Sequence, residues 1–411
     1  MHLLILPAVC LAVLRARKEP EATRHMAERF GGGATGPVGA VWIYAASLGE
    51  VRSAAPLVER MLAGGRAVCL TVQSPAGRAA GARLFGDAIR EGRLTLRWVP
   101  LDLTWAMARF LRRLRPAMGV VMVNEIWPAQ VLVARRLGVP MAMADGNVTE
   151  RTVRRGGVRT ELLRQFRTIA TKGDRYRDRY AALGVDPGRM AVVGEVKFDL
   201  VSDPALVAAG RALRIRWAGE GPVLLVASSV EAEEAALVAL ILDLGHRAIW
   251  APRSPQRFDA VAGALAAAGV TVARRSDLGD GLTGDPEGAQ VILGDSVGEM
   301  AAWYAAADLV FVGATLADHG GHSVVEPLAA GLPVLIGPSV WGIEFPAREA
   351  AEAGALAILP DAAALAAEAG RLLRDPGALT AMSDRAAAFV DVHRGAAERT
   401  HAALLRVLDT G

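Results

Sequence analysis

Short apolar runs alternate with longer amphipathic runs along this chain, and this alternation restricts the possible folds more than any other feature. Each short run has the length of a buried strand, and each longer run repeats its apolar residues at helical spacing. Helices are predicted at Val51–Leu62 and Ala129–Leu137. The first series of predicted strands is Val41–Tyr44, Val68–Val72, Leu94–Trp98, Met118–Val123 and Met141–Ala144. Repeated strand–helix units predict a parallel, doubly wound sheet.

The alternation restarts after a polar stretch that contains proline and glycine, around Asp199–Gly221. The second series of predicted strands is Val223–Ala227, Arg247–Ala251, Val291–Leu293, Leu309–Val312 and Pro333–Ile336. We therefore predict two α/β domains in tandem, at residues 31–205 and 206–411. Because open parallel sheets bind ligands at the carboxyl ends of their strands, a ligand cleft is expected between the two domains.

The first residues of the chain are predicted to touch a membrane. Met1–Leu14 is almost wholly apolar, and Arg15, Arg17 and Lys18 follow directly. As a helix this stretch reaches about 21 Å, which is shorter than a hydrocarbon core of about 30 Å. Basic residues on its carboxyl side favour insertion into anionic lipid from the cytoplasm. Residues 1–30 are thus predicted to lie on a membrane surface, although a buried first helix or a cleaved signal would also explain the pattern.

Composition excludes several classes of function. A net charge of +3 over 411 residues gives no overall attraction to nucleic acid. Cys10 and Cys69 are too few for a disulfide framework and lack metal-ligand spacing, which favours a reducing compartment. The sequence has no GxxxxGK[ST], HExxH or paired CxxC motif. We therefore predict no metal and no other cofactor.

Two acidic motifs follow strands of the first domain. Glu50, in Ser47-Leu48-Gly49-Glu50, lies where a helix is predicted to begin, so its carboxylate is placed to take a proton from an attacking hydroxyl. The alternative is a glutamate favoured there by the helix dipole. Glu125, in Asn124-Glu125-Ile126-Trp127-Pro128, also follows a strand. It is either a ligand-binding carboxylate or a helix cap.

Basic and glycine-rich motifs follow strands of the second domain. Arg253 offers a planar donor group to a phosphate or carboxylate, unless it is a solvated loop arginine. The stretch from Gly313 to Pro327 contains glycines that allow backbone N–H groups to approach a phosphate, and a helix start that favours its charge. Glu326, within that helix, is placed to hold ribose hydroxyls. A structural glycine turn would not explain the two histidines and the glutamate.

Taken together, these motifs resemble the Kdo transferase family. The matching segments run in the family's order and spacing from Glu28-Arg29-Phe30-Gly31 to about residue 360. They are Ser47-Leu48-Gly49-Glu50, Glu125-Ile126-Trp127-Pro128, Thr149-Glu150-Arg151, Lys197-Phe198-Asp199, Pro252-Arg253, and Gly320-Gly321-His322 with Glu326-Pro327.

The resemblance implies an inverting, metal-independent GT-B glycosyltransferase with two Rossmann-like domains. It implies transfer of Kdo, 3-deoxy-D-manno-octulosonic acid, from CMP-Kdo to a lipid A precursor during lipopolysaccharide assembly, at the cytoplasmic face of the inner membrane. Residues 31–205 would bind the acceptor and 206–411 the nucleotide sugar. Glu50 would be the general base. The implied substrate-binding residues are Ser47, Gly49, Glu125, Arg151, Lys197, Arg253, Gly320, Gly321, His322, Ser323 and Glu326.

The sequence also departs from the family's pattern. Valine stands at 123 and 230, where the family usually has glutamate and histidine, and Ser254 replaces another histidine. Asp145 and Asn147 stand where the family has asparagine and arginine, and Glu195, Ser323 and Ala129 replace asparagines. Two alternatives therefore stay open: a GT-B transferase that uses another nucleotide sugar for an envelope glycan, and a catalytically silent relative. The number of sugars added and the oligomeric state are not determined by the sequence.

Overall fold

The structure, a computed structural model, describes residues 25–409 and divides into two compact units. Among the described residues, one unit comprises 25–200 together with 394–409, and the other comprises Val201–His393. Each unit is built on a seven-stranded sheet in which every pair of neighbouring strands is parallel. Both are Rossmann-like.

The first unit has the strand order β3-β2-β1-β4-β5-β6-β7. Its strands are β1 (Val41–Tyr44), β2 (Val68–Val72), β3 (Leu94–Trp98), β4 (Met118–Met122), β5 (Met141–Gly146), β6 (Thr168–Thr171) and β7 (Met190–Val192). Its helices are α1 (Met26–Arg29), α2 (Leu48–Ala63), α3 (Pro75–Leu84), α4 (Gly86–Arg90), α5 (Thr104–Leu114), α6 (Pro128–Arg136), α7 (Glu150–Arg155), α8 (Val158–Leu163) and α9 (Asp174–Ala182), with 3-10 turns at Pro187–Arg189 and Val196–Asp199.

The second unit has the strand order β10-β11-β9-β8-β12-β13-β14. Its strands are β8 (Val223–Ser229), β9 (Arg247–Pro252), β10 (Val272–Arg274), β11 (Val291–Leu293), β12 (Leu309–Val312), β13 (Val334–Ile336) and β14 (Leu356–Ile358). Its helices are α10 (Pro204–Trp217), α11 (Glu231–Leu244), α12 (Phe258–Ala267), α13 (Met300–Ala306), α14 (Val325–Ala329), α15 (Glu344–Glu352), α16 (Ala362–Arg374) and α17 (Pro376–His393), with 3-10 turns at Pro255–Arg257, Arg275–Asp277 and Asp280–Leu282.

The last helix, α18 (Ala396–Asp409), belongs to the first unit. Asp199 accepts hydrogen bonds from the backbone N–H groups of Gly395 and Ala397, at 2.7 and 2.6 Å, and so caps this helix. Leu404 and Val407 pack into the core around β1 and α2. Residues 394–409 therefore differ from the expectation that the second domain runs from 206 to 411, because the first unit buries the apolar face of this helix.

The predicted strands are all present, and four further strands were not predicted. These are β6, β7, β10 and β14, each of only three or four residues. Strands β7 and β10 are only partly buried, and β6 begins and ends with threonine. Such short or partly polar runs lack the continuous apolar pattern of a central parallel strand. Helix α2 begins at Leu48, three residues earlier than predicted.

The predicted membrane-contact segment lies mostly outside the described residues. Of residues 1–30, only 25–30 are described, and they include α1. Within residues 25–409, none of the helices is both long enough and apolar enough to cross a bilayer.

Candidate active site

Glu50 lies in the first turn of α2, directly after β1. Ser47 caps this helix, and its Oγ accepts a hydrogen bond of 3.3 Å from the N–H of Glu50. The side chain of Glu50 turns back toward the strand, where Oε2 accepts a hydrogen bond of 2.6 Å from the N–H of Ala46. Gly49, between them, is exposed. The carboxylate is thus fixed at the carboxyl edge of the sheet by its own strand–helix turn.

The surroundings of Glu50 make its carboxyl group a weak acid. Burial raises the pKa of Glu50 to about 7, and the negative charges of Glu125 and Asp145 add to the increase. The hydrogen bonds from Ala46 and Ser47 oppose it only in part. A group with a pKa near neutral pH is substantially deprotonated in the cell and can still accept a proton effectively, which is the property of a general base.

A hydrogen-bonded chain of side chains lies beside Glu50. The Tyr44 hydroxyl donates to Oε1 of Gln73 at 2.6 Å and accepts from Nε1 of Trp127 at 3.2 Å. Burial raises the pKa of Tyr44, and the charges of Glu125 and Glu50 raise it further, which places both carboxylates near this phenol. Glu125 itself is exposed. The structure therefore brings Glu50 and Glu125 to one edge of the sheet, as expected.

Lys197 lies beside a buried cluster of charges that sequence analysis did not anticipate. Nζ of Lys172 is 2.6 Å from Oε2 of Glu195 and 3.2 Å from Oδ2 of Asp145. Burial raises the pKa of Asp145 to about 6, helped by the negative charge of Glu195. Burial also acts on Glu195, but Lys172 and Lys197 outweigh it and hold the pKa of that carboxyl below its usual value. Glu195 is therefore the charged partner of Lys172.

The predicted site residue Arg151 and the substituted position Asn147 both follow β5. Arg151 is exposed in the first turn of α7. The backbone carbonyl of Asn147 accepts a hydrogen bond of 3.2 Å from Nδ2 of Asn124. The structure thus links Asn147 to the Glu125 loop. Val123, directly after β4, has a left-handed backbone with φ of 60°.

In the second unit, Arg253 and His322 form one electrostatic group. Arg253 is exposed after β9, and its N–H donates to the carbonyl of Ser229 at 3.1 Å. Burial lowers the pKa of His322, and the positive charge of Arg253 lowers it further. His319 acts in the same direction and Glu233 opposes it. Within residues 25–409, Nε2 of His322 is buried and has no hydrogen-bond partner, and the lowered pKa favours a neutral imidazole.

Gly320 and Gly321 adopt a backbone that other residues rarely reach. Their φ angles are 82° and 83°. A Cβ on Gly320 would lie 2.6 Å from the ring of Trp341, and one on Gly321 would lie 2.6 Å from the Ile343 side chain. Both glycines are therefore required by conformation and by packing. Ser323 follows, and its Oγ accepts a hydrogen bond of 3.4 Å from the N–H of Val325.

The backbone directly after β12 differs from the expected phosphate cradle. Glu233, of α11, is only 1% exposed, and its carboxylate accepts hydrogen bonds from the N–H groups of Ala314, Thr315 and Leu316 at 2.7, 2.9 and 2.8 Å. A carboxylate of the chain thus already occupies these donors. The N–H groups of Gly320, Gly321 and His322 are engaged as well, with Oγ of Ser339 and the carbonyls of Ala314 and Gly313. Glu326 is exposed in the first turn of α14.

Two substituted positions have local structural roles. The N–H of Val230, the residue before α11, donates to Oε2 of Glu233 at 3.2 Å. Ser254 Oγ contacts Oε1 of Gln256. Within residues 25–409, no group of three or more histidine, cysteine, aspartate or glutamate side chains is arranged to hold a metal ion.

Comparison with known proteins gives a consistent relationship over most of the chain. A family model described as 3-deoxy-D-manno-octulosonic-acid transferase (kdotransferase) matches residues 24–200, and one described as glycosyl transferases group 1 matches residues 284–389. The 3-deoxy-D-manno-octulosonic acid transferase of Bordetella pertussis is 39% identical over 391 residues, covering 92% of this chain and 89% of that protein. The chain belongs to the Kdo transferase family. The enzyme of the same name from Haemophilus influenzae is 31% identical over 350 residues, covering 80% of this chain and 78% of its own.

Solved structures confirm the fold class. A UDP-N-acetylglucosamine 2-epimerase from Listeria monocytogenes, described as putative, has a TM-score of 0.63 and 14% identity, covering 91% of this chain and 98% of its own. MurG of Acinetobacter baumannii has a TM-score of 0.52 and 16% identity, covering 85% and 94%. With two Rossmann-like units, this member of the Kdo transferase family has the GT-B fold and is a glycosyltransferase.

Sequence analysis missed two groups that shape this site. Lys172 follows β6, a strand that was not predicted, so its position at the carboxyl edge of the sheet was not recognised. Glu233 belongs to the Glu231-Ala232-Glu233-Glu234 run, which resembles an ordinary acidic first turn of a helix. Glu233 could have been recognised from the sheet order. It comes soon after β8, and β8 is the neighbour of β12, so the residues that follow these two strands lie close together.

Proposed function

We propose that this enzyme transfers Kdo from CMP-Kdo to a sugar hydroxyl of a lipid A precursor. Membership of the Kdo transferase family supports both substrates. The observation that carries the proposal is the state of Glu50: a half-buried carboxylate with a pKa of about 7, fixed at the carboxyl edge of the first unit's sheet.

In the proposed reaction Glu50 removes the proton from the acceptor hydroxyl as the hydroxyl oxygen attacks the anomeric carbon of Kdo. Attack from the face opposite the leaving group inverts that centre, as in inverting glycosidases. The bond from the anomeric carbon to the CMP phosphate oxygen breaks, and CMP leaves with the electron pair. Arg253 contributes positive charge to stabilise the departing phosphate, so a strong general acid is not needed.

For the remaining predicted residues we propose supporting roles. Glu125, Arg151 and Lys197, with Ser47 and Gly49, belong to the acceptor side. His322, with Gly320, Gly321, Ser323 and Glu326, belongs to the donor side. We further propose that the enzyme works at the cytoplasmic face of the inner membrane, held there by the apolar and basic residues that precede the described part of the chain.

The direct test is product formation by the purified protein. With CMP-Kdo and a lipid A precursor, we expect release of CMP and a mass increase of the lipid by one or more Kdo residues. Glu50→Gln should lower the rate about 10²- to 10⁴-fold. Glu59→Gln, an exposed position on the same helix, is the matched control and should retain full activity. A folded wild-type protein that releases no CMP would contradict the proposal.

Another nucleotide sugar is the second candidate function, because Val230 and Ser254, in the unit proposed to bind the donor, stand where the family usually has histidine. A thermal-shift series with CMP, UDP and GDP would separate the two, since a bound ligand raises the apparent stability by mass action. Stabilisation by CMP supports the Kdo donor, and stabilisation by UDP or GDP alone supports the other transferase.

A further inference from the structure

A cavity of about 780 Å³ lies in the first unit, at the amino ends of β5, β6 and β7. The first residues of these strands, Met141, Thr168 and Met190, are among those that line it. Glu50 follows β1 and therefore lies at the opposite, carboxyl edge of the same parallel sheet. A strand of four residues is about 13 Å long, so a ligand in this cavity would lie away from the site proposed for the transfer.

Arginine side chains dominate the lining of this cavity. Among the described residues that line it, five are arginines and none is acidic. The five are Arg135 of α6, Arg164 and Arg167 before β6, Arg189 before β7, and Arg406 of α18. All are exposed. Like charges gathered around one cavity repel each other, and an anion bound among them would offset that repulsion. The lining therefore indicates a ligand with several negative charges.

Two of these arginines have donors that the protein does not use. Within residues 25–409, the guanidinium groups of Arg135 and Arg167 have neither an ion-pair partner nor a hydrogen-bond acceptor. They come from different elements, α6 and the segment before β6, yet both line the same cavity. A guanidinium group presents its donors in a planar fork that fits two oxygens of one phosphate. Phosphate is therefore the anion that these two side chains suit.

Two further arginines are held in place by the chain but stay accessible. Nη1 of Arg189 donates to the carbonyl of Arg164 at 3.3 Å, and Nε of Arg164 donates to the carbonyl of Leu183 at the same distance. Arg164 also pairs with Glu161 at 2.8 Å, and Arg189 lies 3.9 Å from Asp186. Both acidic side chains are exposed, and ion pairs in that setting are weak. A bound phosphate can compete with them for the two arginines.

The shape of the cavity favours a small molecule over a flat surface. Its least exposed lining residues are apolar and include Val131, Met141 and Ala403, which are at most 3% exposed. The exposed arginines thus stand around buried apolar residues. A concave site of this volume is within the usual range for small-molecule ligands, about 300–1,000 Å³.

We propose that this cavity binds a soluble polyphosphate group, either as inorganic polyphosphate or as the phosphate chain of a nucleotide. Arg135 and Arg167 donate to its oxygens, and Arg164 and Arg189 add donors from the other side of the chain segments that line the cavity. Because the cavity lies at the edge of the sheet opposite Glu50, the inference goes beyond the proposed function. It is tested by binding, without turnover.

The first experiment measures the melting temperature of the full-length protein in buffer that contains EDTA, at constant ionic strength. Sodium triphosphate should raise the melting temperature, because a ligand that binds the native state stabilises it by mass action. Sodium sulfate should give a much smaller shift. The absence of a shift with triphosphate would overturn the proposal. Equal shifts with the two salts would indicate an adventitious ion only, and would overturn it as well.

The second experiment removes the two unpaired guanidinium groups in the double variant Arg135→Gln/Arg167→Gln. By calorimetry the Kd for triphosphate should rise about a hundredfold, since each lost charge-assisted hydrogen bond costs about a factor of ten. The melting temperature without ligand should not fall, because both side chains are exposed. Arg112→Gln/Arg136→Gln, at exposed positions outside the cavity, removes the same charge and should leave the Kd unchanged. Equal weakening in both double variants would overturn the proposal.

A third measurement separates this cavity from the donor side of the second unit. Arg253→Gln removes the guanidinium group proposed to stabilise the departing phosphate, and it should leave the Kd for triphosphate unchanged. Loss of triphosphate binding in Arg253→Gln would place the anion in the second unit and overturn the proposal.

The last experiment identifies the source of the phosphate. ATP should compete with triphosphate for the cavity and adenosine should not, because the arginines bind the phosphate chain. Competition by adenosine would contradict this. Vesicles of phosphatidylglycerol should bind the wild type and Arg135→Gln/Arg167→Gln equally. Weaker binding of the variant to vesicles, with an unchanged Kd for triphosphate, would assign this face to a membrane surface and overturn the proposal.

Discussion

Nζ of Lys172 lies 2.6 Å from Oε2 of Glu195 in the interior of the first unit, where the two side chains are 8% and 2% exposed. Asp145 joins the same lysine at 3.2 Å and is fully buried. The cluster thus contains two carboxylates and one ammonium group, with Lys197 contributing positive charge nearby. The net charge of this cluster affects the stability of the unit. It also affects Glu50, because the negative charge of Asp145 raises the pKa of Glu50.

Lys172→Met should destabilise the protein by about 3–5 kcal/mol, because it leaves two buried carboxylates without their cation. Asp145→Asn should cost much less at pH 8, since the pair of Lys172 and Glu195 stays intact. Urea unfolding, followed by a probe in the first unit, measures both. Equal decreases in the free energy of unfolding for the two variants would show that Lys172 does not stabilise the two carboxylates.

The same cluster makes stability depend on pH. The pKa of Asp145 is about 6 in the folded protein, above its ordinary value of 3.8. The folded state therefore holds this proton more tightly, and the stability it contributes is lost as the pH rises through 6. Asp145→Asn should remove this loss between pH 4 and 7. Urea unfolding of the wild type and the variant across that range tests it, and identical pH dependence would contradict the assignment.

Glu233→Gln should loosen the loop after β12. The carboxylate accepts from the backbone N–H groups of Ala314, Thr315 and Leu316 through both of its oxygens, and an amide NH₂ cannot replace both oxygens as an acceptor. Amide hydrogen exchange at Ala314, Thr315 and Leu316 should accelerate, and the KM for the donor should rise. Glu231→Gln, on the same helix with a side chain 75% exposed, is the control. Unchanged exchange in Glu233→Gln would show that the loop does not require this carboxylate.

The positions of Glu50 and Glu125 in the first unit, and of Arg253 in the second, were predictable because each comes soon after a strand. The parallel strands of one sheet bring their carboxyl ends to the same edge of that sheet. The role of Glu233 was not, because it acts on a loop 81 residues away in sequence. The docking of α18 was equally hidden, since Asp199 caps a helix that begins almost 200 residues later. The local sequence pattern predicts which residues follow a strand and therefore lie at the carboxyl edge of its sheet. It does not predict hydrogen bonds between residues that only the tertiary structure brings together.

The central claim is that burial gives Glu50 the pKa of a neutral-pH base, and the pH dependence of kcat/KM tests it most directly. The base must be deprotonated to act, so kcat/KM should decrease as the pH falls below about 7, which gives the profile an acid limb there. Glu125→Gln, which removes a negative charge near Glu50, should move that limb to lower pH. A limb near pH 4.5 that Glu125→Gln leaves in place would contradict the account.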